Sequence, residues 1–202
     1  MSAIALIDYG AGNLRSVHNA LVAAGADDVA VTADPDVVAR ADRIVLPGVG
    51  AFAACMNGLS AIDGLAQAME RRVRGEGAPF LGICVGMQLL ADAGEEHGRH
   101  KGLGWIGGTV RPFAPRPGLR IPHMGWNDVE PVAAHPVIAR GEAYYLHGYH
   151  FADAANVAAT SSHGGTFTAA VARDNIVGVQ FHPEKSQAYG LATLERFLAW
   201  RP

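Results

Sequence analysis

Cysteine is scarce in this chain of 202 residues: only Cys55 and Cys84 occur. Two thiols make no disulfide framework, so the fold must rest on its core, and a reducing cytoplasm is the expected location. Lysine is just as scarce, with Lys101 and Lys185 alone. The 16 basic residues are scattered and the formal net charge is -3, which argues against a nucleic-acid partner. Arg71, Arg72 and Arg74 form the densest basic cluster, but they fall at the end of an expected helix, where cations complement the macrodipole. No apolar run approaches the roughly 20 residues that a bilayer requires, so no membrane partner is expected. The start, Met1 to Asp8, lacks the basic region and length of a signal peptide. What the chain does have is apolar content: half of it is hydrophobic and only 17% is charged. That balance is globular rather than disordered. The length suits one domain over residues 1–202, large enough to bury about 70% of its unfolded surface.

The first half alternates strands and helices. Ala3 to Ile7 is an apolar strand ending in Asp8-Tyr9-Gly10-Ala11-Gly12-Asn13, followed by a helix from Leu14 to Ala24 that Gly25 closes. The glycine loop fails the dinucleotide fingerprint, because Arg15 stands where the third glycine belongs. Val29 to Thr32 is a second strand, and Asp34-Pro35-Asp36 opens a short helix. Arg43 to Leu46 is a third strand, running into Pro47-Gly48-Val49-Gly50, a loop that can present backbone N–H groups to an anion or serve as an ordinary turn. Helices are expected from Phe52 to Leu59 and from Ile62 to Arg74, with Cys55 read as packing. Glu95 to Lys101 reads as a polar surface loop; His97-x-x-His100 has metal-site spacing but no further ligands nearby. Beyond Gly102 the texture becomes strand-rich: Trp105–Phe113, Leu119–Val129, Ala143–Phe151, Val157–Thr160, Thr166–Val171 and Ile176–Phe181, then a helix from Tyr189 to Trp200. The sum is an α/β three-layer domain.

Two stretches carry chemistry. In Phe80-Leu81-Gly82-Ile83-Cys84-Val85-Gly86-Met87-Gln88 an apolar strand turns at once into a helix, with Met87, Leu90 and Ala91 on one face. Gly82-x-Cys84-x-Gly86 is the thiol form of a nucleophile elbow, where small neighbours relieve a sharp turn. A helix N-terminus there would favour thiolate. A buried Cys acting as a small hydrophobe fits the same local pattern. The second stretch is Gln180-Phe181-His182-Pro183-Glu184-Lys185, where a strand ends at a proline that blocks its continuation. A thiol nucleophile needs a base, and the base needs an acidic partner, so Cys84, His182 and Glu184 fit the three roles of an acyl-transfer triad.

The pairing of G-x-C-x-G-x-Q with a downstream Q-F-H-P-E resembles the class I (triad) glutamine amidotransferases. Asp8 to Asn13, Pro47 to Gly50, Gly82 to Gln88, His123-Met124-Gly125-Trp126-Asn127 and Phe181 to Ser186 together resemble the glutaminase subunits of imidazole glycerol phosphate synthases. That resemblance implies the class I fold: a mixed, mostly parallel central sheet flanked by helices, with an antiparallel strand-rich second half. It implies hydrolysis of L-glutamine with no cofactor and no metal. Cys84 would attack the carboxamide, His182 would shuttle the proton and Glu184 would orient His182. Backbone N–H groups of Val85 and Val49 would form the oxyanion hole. Gly50, Gln88 and the segment His147-Gly148-Tyr149 would hold the substrate, and the family commonly carries a hydroxyl residue where this chain has Gly148. The implied partner is a (β/α)₈-barrel cyclase subunit, met by Asp8, Tyr9, Asn13, Trp126, Asn127 and Lys185. Rival readings are the glutaminase of another synthase, such as that of pyridoxal phosphate, a stand-alone cysteine amidohydrolase, and a binding module that kept the fold.

Overall fold

The computed structural model describes residues 3–202; the expectations resting on Met1 and Ser2 lie outside it. In chain order the first half holds β1 (Ala3–Ile7), α1 (Leu14–Ala23), β2 (Asp28–Thr32), α2 (Pro35–Arg40), β3 (Arg43–Gly48), α3 (Phe52–Ala61), α4 (Leu65–Glu70), β4 (Phe80–Cys84) and α5 (Val85–Gln88). The second half holds β5 (Ala93–Gly94), β6 (His100–Lys101), β7 (Thr109–Pro112), β8 (His123–Pro131), β9 (Gly141–His147), β10 (Tyr149–Ala152), β11 (Val157–Ser162), β12 (Thr166–Arg173), β13 (Ile176–Val179) and α6 (Gln187–Ala199).

A nine-stranded sheet in the order β2-β1-β3-β4-β13-β12-β11-β8-β9 crosses the molecule. Its β2 to β13 part is parallel and the rest antiparallel. The central strands β3, β4 and β13 are buried along their whole length, as continuous apolar runs in a covered parallel sheet should be. Strand β8 instead alternates, with His123 and Val129 buried and Met124 and Trp126 exposed. Helix α1 packs with α6, and α4 packs with α2 and α3, to cover the sheet. Phe80 meets Trp105 edge to face at 5.2 Å in the core; burying such a ring contributes about 1.5–3 kcal/mol.

Local chemistry sets the element ends. The Asp34 carboxylate accepts from the Asp36 N–H at 2.8 Å and caps α2, whose first residue is Pro35. The helix expected from Ile62 to Arg74 starts late, because Gly64 takes a left-handed turn, and it ends in one wide turn over Arg71–Gly75. The helix after the elbow is shorter than its apolar spacing suggests. The carbonyls of Leu89, Leu90 and Ala91 accept from Leu103, Trp105 and Gly104, so the incoming segment takes the bonds that a longer helix would use. A four-residue helix has little macrodipole, so that contribution to a thiolate is small.

The strand expected over Ala143–Phe151 divides at Gly148. Strand β9 stays in the large sheet, while β10 joins a small sheet in the order β10-β7-β5-β6. Register places the functional turns. In the parallel sheet Gly48 stands opposite Cys84 and Val179 opposite Ile83, so the β3 loop, the elbow and the segment after β13 leave the same carboxyl edge side by side.

Candidate active site

The turn at Cys84 is sharp enough to need unusual backbone. Cys84 has φ 53 and ψ -112, a conformation few L-residues adopt. The turn closes only because its neighbours lack side chains. A Cβ on Gly82 would lie 2.6 Å from the Gly86 carbonyl oxygen, and one on Gly86 would run into the Leu46 carbonyl. Gly48 is required for the same reason: its Cβ would meet the Gly86 nitrogen at 2.7 Å and the Tyr9 hydroxyl at 2.8 Å. Close approach to the elbow therefore dictates Gly48. Gly50 has φ 101, which favours glycine outright.

His182 lies beyond β13, buried, its backbone N–H donating to the Tyr144 carbonyl at 2.9 Å. Its Nδ1 donates to Glu184 Oε1 at 2.9 Å, and both side chains are almost fully buried. Burial alone would lower the imidazole. Hydrogen bonds and charge from Cys84 and Glu184 outweigh it and push His182 up to about 10. Ser186 ties this turn to β9: its hydroxyl donates to the His182 carbonyl at 2.7 Å and accepts from the Tyr144 N–H at 2.9 Å. Glu184 Oε2 is buried without a protein partner among the described residues.

A cavity of about 300 Å³ opens over the thiol. Cys84, His182, Val85 and Val49 line it, with Gly50 and Gln88. Its far wall is Leu146, His147, Gly148 and Tyr149. Every residue expected to hold the nucleophile, the base, the oxyanion or glutamine thus faces one space, with Glu184 behind His182. Gly148 itself has room: an added Cβ would meet Ile121 at 3.7 Å and Pro122 at 3.9 Å, ordinary contacts. His147 is buried, with Nδ1 2.9 Å from the Tyr149 carbonyl, and burial pushes its ring down to about 3.

Two expected partner-facing residues hydrogen-bond within the chain. Tyr9 is buried, and its hydroxyl donates to the Pro47 carbonyl at 2.7 Å. Asn127 follows the β8 alternation to the inner side, where its amide donates to the Ser162 carbonyl at 2.9 Å and lies 3.1 Å from His123 Nε2. Trp126 is 47% exposed, and Asp8, Asn13 and Lys185 reach solvent to different degrees. Lys185 also lines the cavity, with its ammonium 6.0 Å from the Tyr144 ring centre.

Sequence reasoning missed three contributors. Glu96, assigned to a surface loop, lines the cavity and accepts from the Phe52 N–H at 2.7 Å. Ser186 sat in the second motif without a role. Gln180 is fully buried and touches both Gln88 and Cys84. A glutamine inside an otherwise apolar buried strand end was the one available signal for it; nothing in the local pattern marked Glu96.

The class-I glutamine amidotransferase family model matches residues 5–199. The chain belongs to that family. Among curated relatives it is 60% identical to the imidazole glycerol phosphate synthase subunit HisH of Zymomonas mobilis subsp. mobilis, with 100% of this chain and 97% of the relative covered. The HisH subunit of Rhodospirillum rubrum is 53% identical, with 98% and 99% covered. Within the amidotransferases the chain therefore falls in the HisH family of glutaminase subunits. A solved glutamine amidotransferase crystal structure superposes with a TM-score of 0.75 at 18% identity, covering 96% of this chain and 97% of the other, which shows the shared fold. No helix among the described residues is long and apolar enough to cross a membrane.

Proposed function

We propose that residues 1–202 act as one glutaminase domain that hydrolyses glutamine and passes the ammonia to a (β/α)₈-barrel cyclase. The cyclase would use it on N'-(5'-phosphoribulosyl)formimino-AICAR to form imidazole glycerol phosphate and AICAR, in the cytoplasmic biosynthesis of histidine. The observation that carries this reading is the single cavity shared by Cys84, His182, Gln88 and the Val49 loop.

Cys84 Sγ attacks the carboxamide carbon of glutamine. The thiol proton resides on His182 before attack: the raised proton affinity that Cys84 and Glu184 give the ring keeps it as imidazolium beside the thiolate. Negative charge develops on the amide oxygen, within reach of the Val85 N–H at the start of α5 and the Val49 N–H of the facing loop. His182 then gives its proton to the departing nitrogen, ammonia leaves, and a thioester remains on Cys84. Water, deprotonated by His182, opens the thioester to glutamate and restores the thiol. Glu184 holds the ring by Nδ1 throughout. The cavity wall carries one carboxylate at Glu96 and one ammonium at Lys185, which complement the α-ammonium and α-carboxylate of the substrate.

The partner surface follows from the same hairpin. In the β8–β9 register Met124 pairs with Leu146 and Trp126 with Tyr144. Met124, Trp126 and Leu146 are exposed, as are Ile121 and Val49 beside them. An apolar patch of this kind around a cavity mouth suits a docked protein. Asp8 and Asn13, at the carboxyl end of β1, stand on the same sheet edge. The test is the glutaminase rate with and without the barrel subunit and its nucleotide ligand. Strong stimulation supports a subunit; an equal rate in isolation supports a stand-alone hydrolase.

A further inference from the structure

The orientation of the amides around Cys84 is forced from one backbone atom. The Tyr149 carbonyl can only accept, and Gln88 Nε2 lies 3.0 Å from it, so Gln88 must turn its NH₂ group there. The same Nε2 is 3.0 Å from Gln180, which must therefore present its own carbonyl oxygen. With Oε1 so committed, the Gln180 NH₂ group faces the Cys84 sulfur at 3.7 Å. Gln180 is wholly buried, so water cannot substitute for either bond. A flipped amide at either glutamine would set two donors or two acceptors against each other.

We infer that Gln180 is a positioning residue of the glutaminase reaction, which donates to the Cys84 sulfur and locks Gln88 with only its carbonyl oxygen toward the cavity. This rests on the reading of Cys84 as the nucleophile and adds two consequences. The Gln180 N–H stabilises the sulfur most when it carries negative charge, before attack and when the thiol is released. Gln88, with both N–H groups engaged, can offer the substrate an acceptor alone. It therefore selects a donor group, the ammonium or the carboxamide NH₂ of glutamine, and disfavours a carboxylate in that place.

Two near-isosteric variants separate the two bonds. Gln180→Glu keeps an acceptor for Gln88 and removes the donor to sulfur; Gln180→Met removes both. The rate of Cys84 alkylation by iodoacetamide is followed against pH in the full-length chain, resolved by peptide mass spectrometry because Cys55 is also a free thiol. Glutamine kcat and KM are measured with the barrel subunit. The alkylation midpoint should rise by about one pH unit in Gln180→Met and further in Gln180→Glu, where a carboxylate adjoins the sulfur. The KM should rise about tenfold or more in Gln180→Met and stay within about twofold of wild type in Gln180→Glu. Midpoints equal to wild type in the soluble Gln180→Glu protein would overturn the sulfur contact, whether or not Gln180→Met folds. A KM raised equally in both variants would overturn the lock on Gln88. If the wild-type chain assembled with the barrel subunit releases no ammonia from glutamine, the proposed activity fails, while the alkylation profile still reads the Gln180–Cys84 contact.

Discussion

The Tyr9 hydroxyl, buried beneath the loop that follows β3, donates to the Pro47 carbonyl at 2.7 Å. One residue beyond Gly48, the Cys55 thiol lies 3.5 Å from the Val49 carbonyl. The peptides on either side of Gly48–Val49 are thus anchored, and in the proposed mechanism the Gly48–Val49 peptide between them is the one that offers its N–H to the oxyanion. Burial pushes the Tyr9 phenol far above its ordinary range and raises the Cys55 thiol, so both stay protonated donors at neutral pH.

Replacing Tyr9 by Phe leaves the Pro47 carbonyl without its donor in a dry site. The expected cost is about 1–3 kcal/mol of unfolding free energy, with the fold retained. Urea unfolding of Tyr9→Phe measures it. An unchanged midpoint would mean that the hydroxyl does not brace the loop.

The buried histidines make the fold acid-sensitive. Burial pushes His147 down to about 3 and His123 down to about 4, while both titrate near 6.5 in an unfolded chain. Between those limits the unfolded chain binds the extra protons, so stability falls as pH drops below about 6.5. His182 acts in the opposite sense: raised to about 10, it favours the fold fully below 6.5 and loses that contribution as pH rises toward 10. Thermal unfolding across pH should peak near neutrality, and His147→Gln should flatten the acid limb. An acid limb with the same slope in His147→Gln would exclude His147 as a cause.

Trp126 and Asn127 are neighbours on opposite faces of β8, which makes them a matched pair. Trp126→Ala should weaken binding of the barrel subunit about tenfold or more, because a half-exposed Trp on an apolar patch is a hot-spot residue. Asn127→Ala should instead lower the stability of the isolated chain, by freeing the Ser162 carbonyl and His123. Calorimetric titration and unfolding of both variants test this; the reverse assignment would contradict the facing of β8.

The parallel half was legible because its signals are local. Continuous apolar runs mark β1, β3 and β4, and a Pro, a Gly or a capping Asp bounds most of their helices. Cys84, His182 and Glu184 could be singled out as candidates because each sits in a short motif at the end of a strand. Other features depend on contacts remote in sequence. The shortened α5 follows from carbonyls taken by residues 102–106, and the break at Gly148 from a chain that changes sheets. For Tyr9 and Asn127 a resemblance names positions but not the direction of a side chain. The burial of Tyr9 under Pro47 and the alternation of β8 decide that direction.

The most direct test removes the nucleophile and supplies its product. Cys84→Ala, assembled with the barrel subunit, is assayed for imidazole glycerol phosphate formation with glutamine and, separately, with an ammonium salt. Glutamine-dependent activity should vanish, while ammonium-dependent activity remains at the wild-type level. Retained turnover of glutamine by Cys84→Ala would contradict the assignment of the elbow thiol as the attacking group.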